Sequence, residues 1–290
     1  MLNEIKENNT VLPLTSSSHH YPCPVACKYC SVTEVSYRRN EWQGKSISIN
    51  KVVTILNKSH TDWLPPKYFT SDVLNFEASS DPFWLDRFND FKVFCDKYAP
   101  VSRLITFVTK MPITKKHLEL LNKVEVPVAI VVSITGLDEY GIEKVNRKVL
   151  YDNIKKCQDN NIPVIPLIHP YIHGLTDVDK LLDEFKSISV KYFQIKGFRF
   201  DRSMTWLPKD VYEYYKDKEG IEYMPNVEIN TDLTRIELRD FYKMYWLSPK
   251  IDYQKAKEYV LKVIDKAIIT SSASKEEVIE YAIKRRCESM

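Results

Sequence analysis

Cys23, Cys27 and Cys30 fall within eight residues, Cys-Pro-Val-Ala-Cys-Lys-Tyr-Cys, shortly after the apolar run Val11 to Leu14 and its Ser/His tail. Three thiolates on so short a loop can each meet one iron of a [4Fe-4S] cube, which ordinarily takes four cysteine ligands. One iron is then left open. An open iron can chelate a small molecule, and a low-potential cluster can pass that molecule one electron. A zinc site competes for the same residues, with His19 and His20 available to complete a mixed set, although zinc usually wants two Cys/His pairs of matching spacing and no second pair follows. Incidental free thiols are the third reading. Cys95, Cys157 and Cys287 are widely separated and read as ordinary thiols.

The Cys-x3-Cys-x2-Cys spacing, with aromatic Tyr29 just before the last cysteine, resembles the signature of the radical S-adenosylmethionine (radical SAM) superfamily. That resemblance implies a [4Fe-4S] cluster on Cys23, Cys27 and Cys30, S-adenosyl-L-methionine on its open iron with Tyr29 beside it, and reductive cleavage to a 5′-deoxyadenosyl radical. It also implies an electron donor such as flavodoxin or ferredoxin. Within the superfamily, the stretch Asn75-Phe-Glu-Ala-Ser-Ser-Asp-Pro-Phe83 resembles the corresponding segment of the spore photoproduct lyase branch rather than the commoner Gly-Gly-Glu. The similarity continues through Phe107-Val-Thr-Lys110, Val132-Ser-Ile-Thr135 and Asn146-Arg147, so it covers roughly residues 20 to 200.

Carried over residue by residue, the resemblance implies that Ser80, Lys110 and Ser133 help hold S-adenosylmethionine. The chemistry agrees: an ammonium suits the cofactor's carboxylate, and serine hydroxyls suit its amine or ribose. Arg147, opening a helix, could pair with a carboxylate or phosphate, or be a surface charge. Asp81 reads instead as a helix N-cap, with Pro82 at the first helical position. His169 and His173 flank one loop and read as ordinary loop histidines. The tyrosines between Tyr212 and Tyr223 could stack on bases or pack a helix against its neighbour. One departure from the branch concerns chemistry. Spore photoproduct lyase carries a hydrogen-returning cysteine after Phe-Glu-Ala, whereas residues 78 to 81 here read Ala-Ser-Ser-Asp.

These residues need a scaffold that brings loops together. Short apolar runs alternate with amphipathic segments. Strands are predicted at Thr10 to Leu14, Val73 to Glu77, Leu104 to Thr109, Val128 to Ile134, Val164 to Ile168 and Tyr192 to Gly197. Helices are predicted near Asn50 to Lys58, Pro82 to Tyr98, Thr114 to Asn122, Lys144 to Asn160 and Val178 to Ser187. The alternation predicts an α/β fold, a partial (β/α)6 barrel, with the cysteine loop at a C-terminal strand end where such barrels place their chemistry. Past residue 205 the pattern turns helical, at Lys209 to Lys218, Thr234 to Tyr245, Tyr253 to Ala267 and Lys275 to Arg286. The expected organisation is therefore a barrel over residues 1–205 and a C-terminal helical extension over 206–290.

Composition narrows the function without naming a substrate. With 42 basic and 39 acidic residues the net charge of +3 neither demands nor excludes a nucleic-acid partner. Six glycines leave no glycine-rich phosphate cradle. Met1 to Asn9 carries no apolar signal core, and the apolar stretch Val126 to Ile134 is too short to span a bilayer, so a soluble, cytoplasmic protein without membrane association is expected. Three function classes follow. They are hydrogen abstraction from a nucleic acid or nucleotide, modification of a peptide or small natural product, and a non-catalytic cluster or zinc-binding module.

Overall fold

The computed structural model describes residues 11–13, 23–30, 73–76, 81–89, 91–92, 95, 104–124 and 126–245. The helices expected near Asn50 to Lys58, Tyr253 to Ala267 and Lys275 to Arg286 lie outside these residues, as do Ser80, His19, His20 and Cys287.

Six strands follow one another across a single sheet in chain order: β1 (Val11–Pro13), β2 (Val73–Phe76), β3 (Leu104–Thr109), β4 (Val128–Ser133), β5 (Val164–Ile168) and β6 (Tyr192–Ile195). Every neighbouring pair is parallel. Between them run α1 (Lys115–Leu121), α2 (Arg147–Asp159) and α3 (Val178–Ser187). A parallel sheet with consecutive strand order and helical crossovers is the expected partial barrel.

Strand alternation sorts the side chains into two layers. Ile105, Phe107, Val128, Ile130 and Val132 pack against Leu118, Leu121, Leu150, Ile154, Leu181 and Phe185 of the three helices, and so define the outer face. Leu104, Ala129, Val131, Ile165 and Leu167 point the other way, into the concave side. Both faces are apolar because both are covered, as a parallel sheet requires.

The concave side is filled from the segment after residue 205. The sequence predicts a helix over Thr234 to Tyr245, but its first residues form a strand, β9 (Thr234–Arg235), that extends the sheet beyond β6, and the helix α5 starts only at Leu238 and ends at Tyr245. Thr234 and Arg235 hydrogen-bond a free sheet edge, which outweighs the local helical pattern. Phe241 and Tyr242 of α5 then pack on Leu104, Ala129, Val131 and Ile165 inside the sheet. An antiparallel pair, β7 (Phe198–Arg199) with β8 (Glu222–Tyr223), was not legible as strands, and α4 (Lys209–Tyr215) lies between its two halves. Gly197 permits this pair: a Cβ there would sit 2.4 Å from the Tyr223 carbonyl oxygen. Among the described residues no helix is long and apolar enough to cross a membrane.

Candidate functional site

The cysteine loop is a tight double turn. The Cys30 N–H donates to the Cys27 carbonyl at 3.1 Å, and Ala26 takes a left-handed φ of 46°. All three thiols are half-buried. Burial pushes Cys23 up to about 11, with the Asp81 charge adding to it and the N–H groups of Val25 and Ala26 opposing. Burial likewise lifts Cys27 to about 12, opposed by the Lys110 ammonium. The thiols of Cys23 and Cys27 therefore keep their protons at neutral pH, so metal binding there would release them.

Tyr29 anchors the loop at two ends. Its ring belongs to a second apolar core with Leu137, Ile142, Ile172, Phe198 and Tyr215, and its hydroxyl donates to Glu143 Oε1. The same Oε1 receives the Lys110 ammonium at 2.5 Å. Lys110 Nζ also donates to the Ser133 carbonyl at 3.1 Å and lies 5.6 Å from the Tyr29 ring centroid. Ser133 Oγ in turn donates to the His169 carbonyl at 3.1 Å. A continuous polar arc therefore runs from the cysteine loop across the C-terminal ends of β3, β4 and β5. Lys110, Ser133 and Glu143 are all buried. Breaking a buried ion pair such as Lys110 with Glu143 costs about 3–5 kcal/mol, because the partner is left uncompensated.

Asp81 holds the arc from behind. Its Oδ2 accepts from the backbone N–H of Lys110 at 2.6 Å and of Met111 at 3.1 Å, and its Oδ1 accepts from Thr109 Oγ1 at 2.8 Å and the Phe83 N–H at 3.0 Å. The sequence reading made it an N-cap of a helix starting at Pro82. Residues 82–83 instead form a turn, the first helical residues are the 3-10 turn Leu85–Arg87 with Trp84 at its N-cap, and Asp81 clamps the end of β3. Its Oδ1 also accepts from the Phe83 N–H two residues on, a local turn bond. Burial lifts its carboxyl to about 6 against the pull of four donors.

Of the cofactor residues read from the sequence, Tyr29, Lys110 and Ser133 thus come together beside Cys27. Ser80 lies outside the described residues. Arg147 pairs with Glu139 and, at 3.8 Å, with Glu184 of α3, while Glu139 also takes Lys180 at 2.6 Å; this network ties the 3-10 turn after β4 to the first residue of α2 and to α3. His169 is half-buried at the end of β5, where burial, with Lys196 and Lys110 nearby, pushes it down to about 4. His173 is exposed and stacks on Tyr214 at 4.4 Å. The tyrosine tract mostly packs: Tyr215 is fully buried against Phe198 and Phe200. Glu143 was missed altogether. It sits in the loop before α2 as one acidic residue between Ile142 and Lys144, and nothing local marks it.

The loop's donor set fits a cubane cluster. Among the described residues no three His, Cys, Asp or Glu side chains converge on a point where a single metal ion would be held. A cube does not need such a point, since each thiolate meets its own corner, and three sulfurs leave one corner for another ligand.

Fold and site together define an α/β partial-barrel protein with a three-cysteine loop set over the C-terminal strand ends. No family model and no curated protein matches the chain. Among solved structures it is similar to Streptococcus suis SuiB, with 13% identity and a TM-score of 0.47 over 86% of this chain and 54% of that one. It is also similar to a spore photoproduct lyase double mutant with bound AdoMet and dinucleoside spore photoproduct, with 14% identity and a TM-score of 0.46 over 69% of this chain and 59% of that one. The chain thus spans between half and two thirds of the length of these two proteins.

Proposed function

We propose that this chain is a radical SAM enzyme that abstracts hydrogen from an unactivated C–H bond. The observation that carries the reading is the unbroken contact from the cysteine loop through Tyr29 and Glu143 to Lys110 and Ser133 at the barrel mouth. Cys23, Cys27 and Cys30 would hold a [4Fe-4S] cluster, and Lys110, Ser133, Tyr29 and Ser80 would hold S-adenosylmethionine. When bound, the cluster would supply the electron for reductive cleavage of S-adenosylmethionine, drawn from a donor such as flavodoxin or ferredoxin. The ammonium of Lys110 offers its charge to a carboxylate, and the apolar core around Tyr29 shields the mouth from water. A cytoplasmic setting, where thiols stay reduced, fits this chemistry.

The substrate class favoured by the sequence resemblance is a nucleic acid or nucleotide, with a peptide or small natural product as the alternative. Salt-sensitive binding of oligonucleotides separates the two. The enzyme reading is tested by anaerobic reconstitution with iron and sulfide, then reductant and S-adenosylmethionine. Iron and sulfide approaching about four per chain, with 5′-deoxyadenosine formed, is the expected result. Full iron content in the Cys23/Cys27/Cys30 triple alanine variant would overturn the ligand assignment. A cluster without 5′-deoxyadenosine would leave a non-catalytic cluster module, and zinc in its place a zinc module.

A further inference from the structure

Glu143 is committed through one oxygen only. Oε1 takes both the Tyr29 hydroxyl and the Lys110 ammonium, while Oε2 makes no hydrogen bond among the described residues. The carboxylate is 6% exposed and stands beside a 9% exposed lysine. A buried carboxylate and ammonium, fixed side by side, present the two charges that complement an α-amino-acid zwitterion: the ammonium faces a carboxylate, and the carboxylate faces an amine. Burial raises the value of each charge-assisted bond formed there. Tyr29 supports the arrangement, because its hydroxyl donates to the same Oε1 and leaves Oε2 to other partners.

We propose that Glu143 is the specificity-determining residue for the amino group of S-adenosylmethionine, receiving that ammonium through Oε2 while Oε1 keeps Lys110 and Tyr29 in place. This rests on the radical SAM reading of the site. It assigns to a side chain in the loop before α2 a task for which the segment after β2 has no Gly-Gly-Glu stretch. Lys110 then discriminates for the carboxylate and Glu143 for the amine, so the two residues read opposite ends of one zwitterion.

The test is equilibrium binding to the reconstituted protein of two probes, S-adenosylmethionine and its desamino analogue, which keeps the carboxylate and the sulfonium. The wild type should prefer S-adenosylmethionine by about tenfold or more, the scale of a charge-assisted hydrogen bond. Glu143→Gln should bring the two affinities together. Lys110→Met should weaken both and keep their ratio. Because Glu143→Gln leaves the Lys110 charge buried and unpaired, the double variant Lys110→Met/Glu143→Gln provides a second arm without that charge, and it too should lose the preference. A preference that survives in the Glu143→Gln and double variants reduces Glu143 to a brace for Lys110 and overturns the proposal. A wild type that binds neither probe overturns the radical SAM reading, and the proposal with it.

Discussion

Asp81 places four hydrogen-bond donors on two oxygens at the point where β3 ends and Lys110 begins. Three of those donors are backbone N–H groups, which have no water to turn to once buried. The ammonium of Lys110 reaches Glu143 and Ser133 because its own backbone is fixed by this carboxylate. Asp81→Asn would keep one acceptor oxygen and turn an NH2 group toward N–H groups, so at least one buried donor loses its partner. The expected loss is about 2 kcal/mol of folding stability, read by urea denaturation at neutral pH. A loss below about 0.5 kcal/mol, the range of ordinary surface substitutions, would show that the clamp is not holding the strand end. The Asp-Pro pair that suggested an N-cap was a fair local reading. What it could not contain is residue 110, brought to Asp81 by the sheet.

The helix that follows β3 carries a titration of its own. His117 is the N3 residue of α1, where its Nδ1 accepts from the Thr114 N–H at 3.2 Å and pairs with Thr114 Oγ1 at 2.9 Å. Its ring is fully buried, 5.1 Å from each of Phe83, Phe88 and Phe91. Burial pushes it down to about 4 from 6.5. A histidine lowered on folding binds its proton more readily when unfolded. Its contribution is therefore complete above pH 6.5 and lost as the pH falls from there toward 4. Between pH 7 and pH 5 this group should cost roughly 1–2 kcal/mol of stability. His117→Gln, which can still complete a capping box, should flatten that slope, and an unchanged pH dependence of denaturation would show that the acid loss arises elsewhere. At this scale the sequence was most legible. β3, β5 and α3 have the predicted bounds, because apolar runs with clear punctuation are decided locally. α2 begins at Arg147 rather than Lys144, because Asn146 caps it by accepting from the Lys148 N–H at 2.9 Å. The two-residue strands β7, β8 and β9 owe their pairing to distant partners, and no window of sequence contains them.

At the scale of the whole molecule, the cysteines among the described residues fall in two separate places, and that division bears on the proposed reaction. Cys23, Cys27 and Cys30 lie at the mouth beside Lys110. Cys95 and Cys157 lie in the layer between the sheet and its outer helices, 3% and 0% exposed. Burial lifts the Cys157 thiol to about 12. On the proposed reaction a substrate radical formed at the mouth would have to recover a hydrogen atom, and neither of these two thiols faces that side of the sheet. The segment from 78 to 81, where the photoproduct-lyase branch carries its thiol, reads Ala-Ser-Ser-Asp. Ser79 and Ser80 cannot substitute, because an alcohol O–H bond is much stronger than a thiol S–H bond and gives up its hydrogen atom reluctantly. If the proposed function holds, the reconstituted protein, supplied with reductant, S-adenosylmethionine and a dinucleotide spore photoproduct, is therefore expected to form 5′-deoxyadenosine without multiple-turnover repair. Chromatography of the products checks both at once. Catalytic formation of intact thymine pairs would mean that a donor outside the two described cysteine groups reaches the mouth, whereas 5′-deoxyadenosine alone directs the search to a substrate whose product radical is quenched by another route.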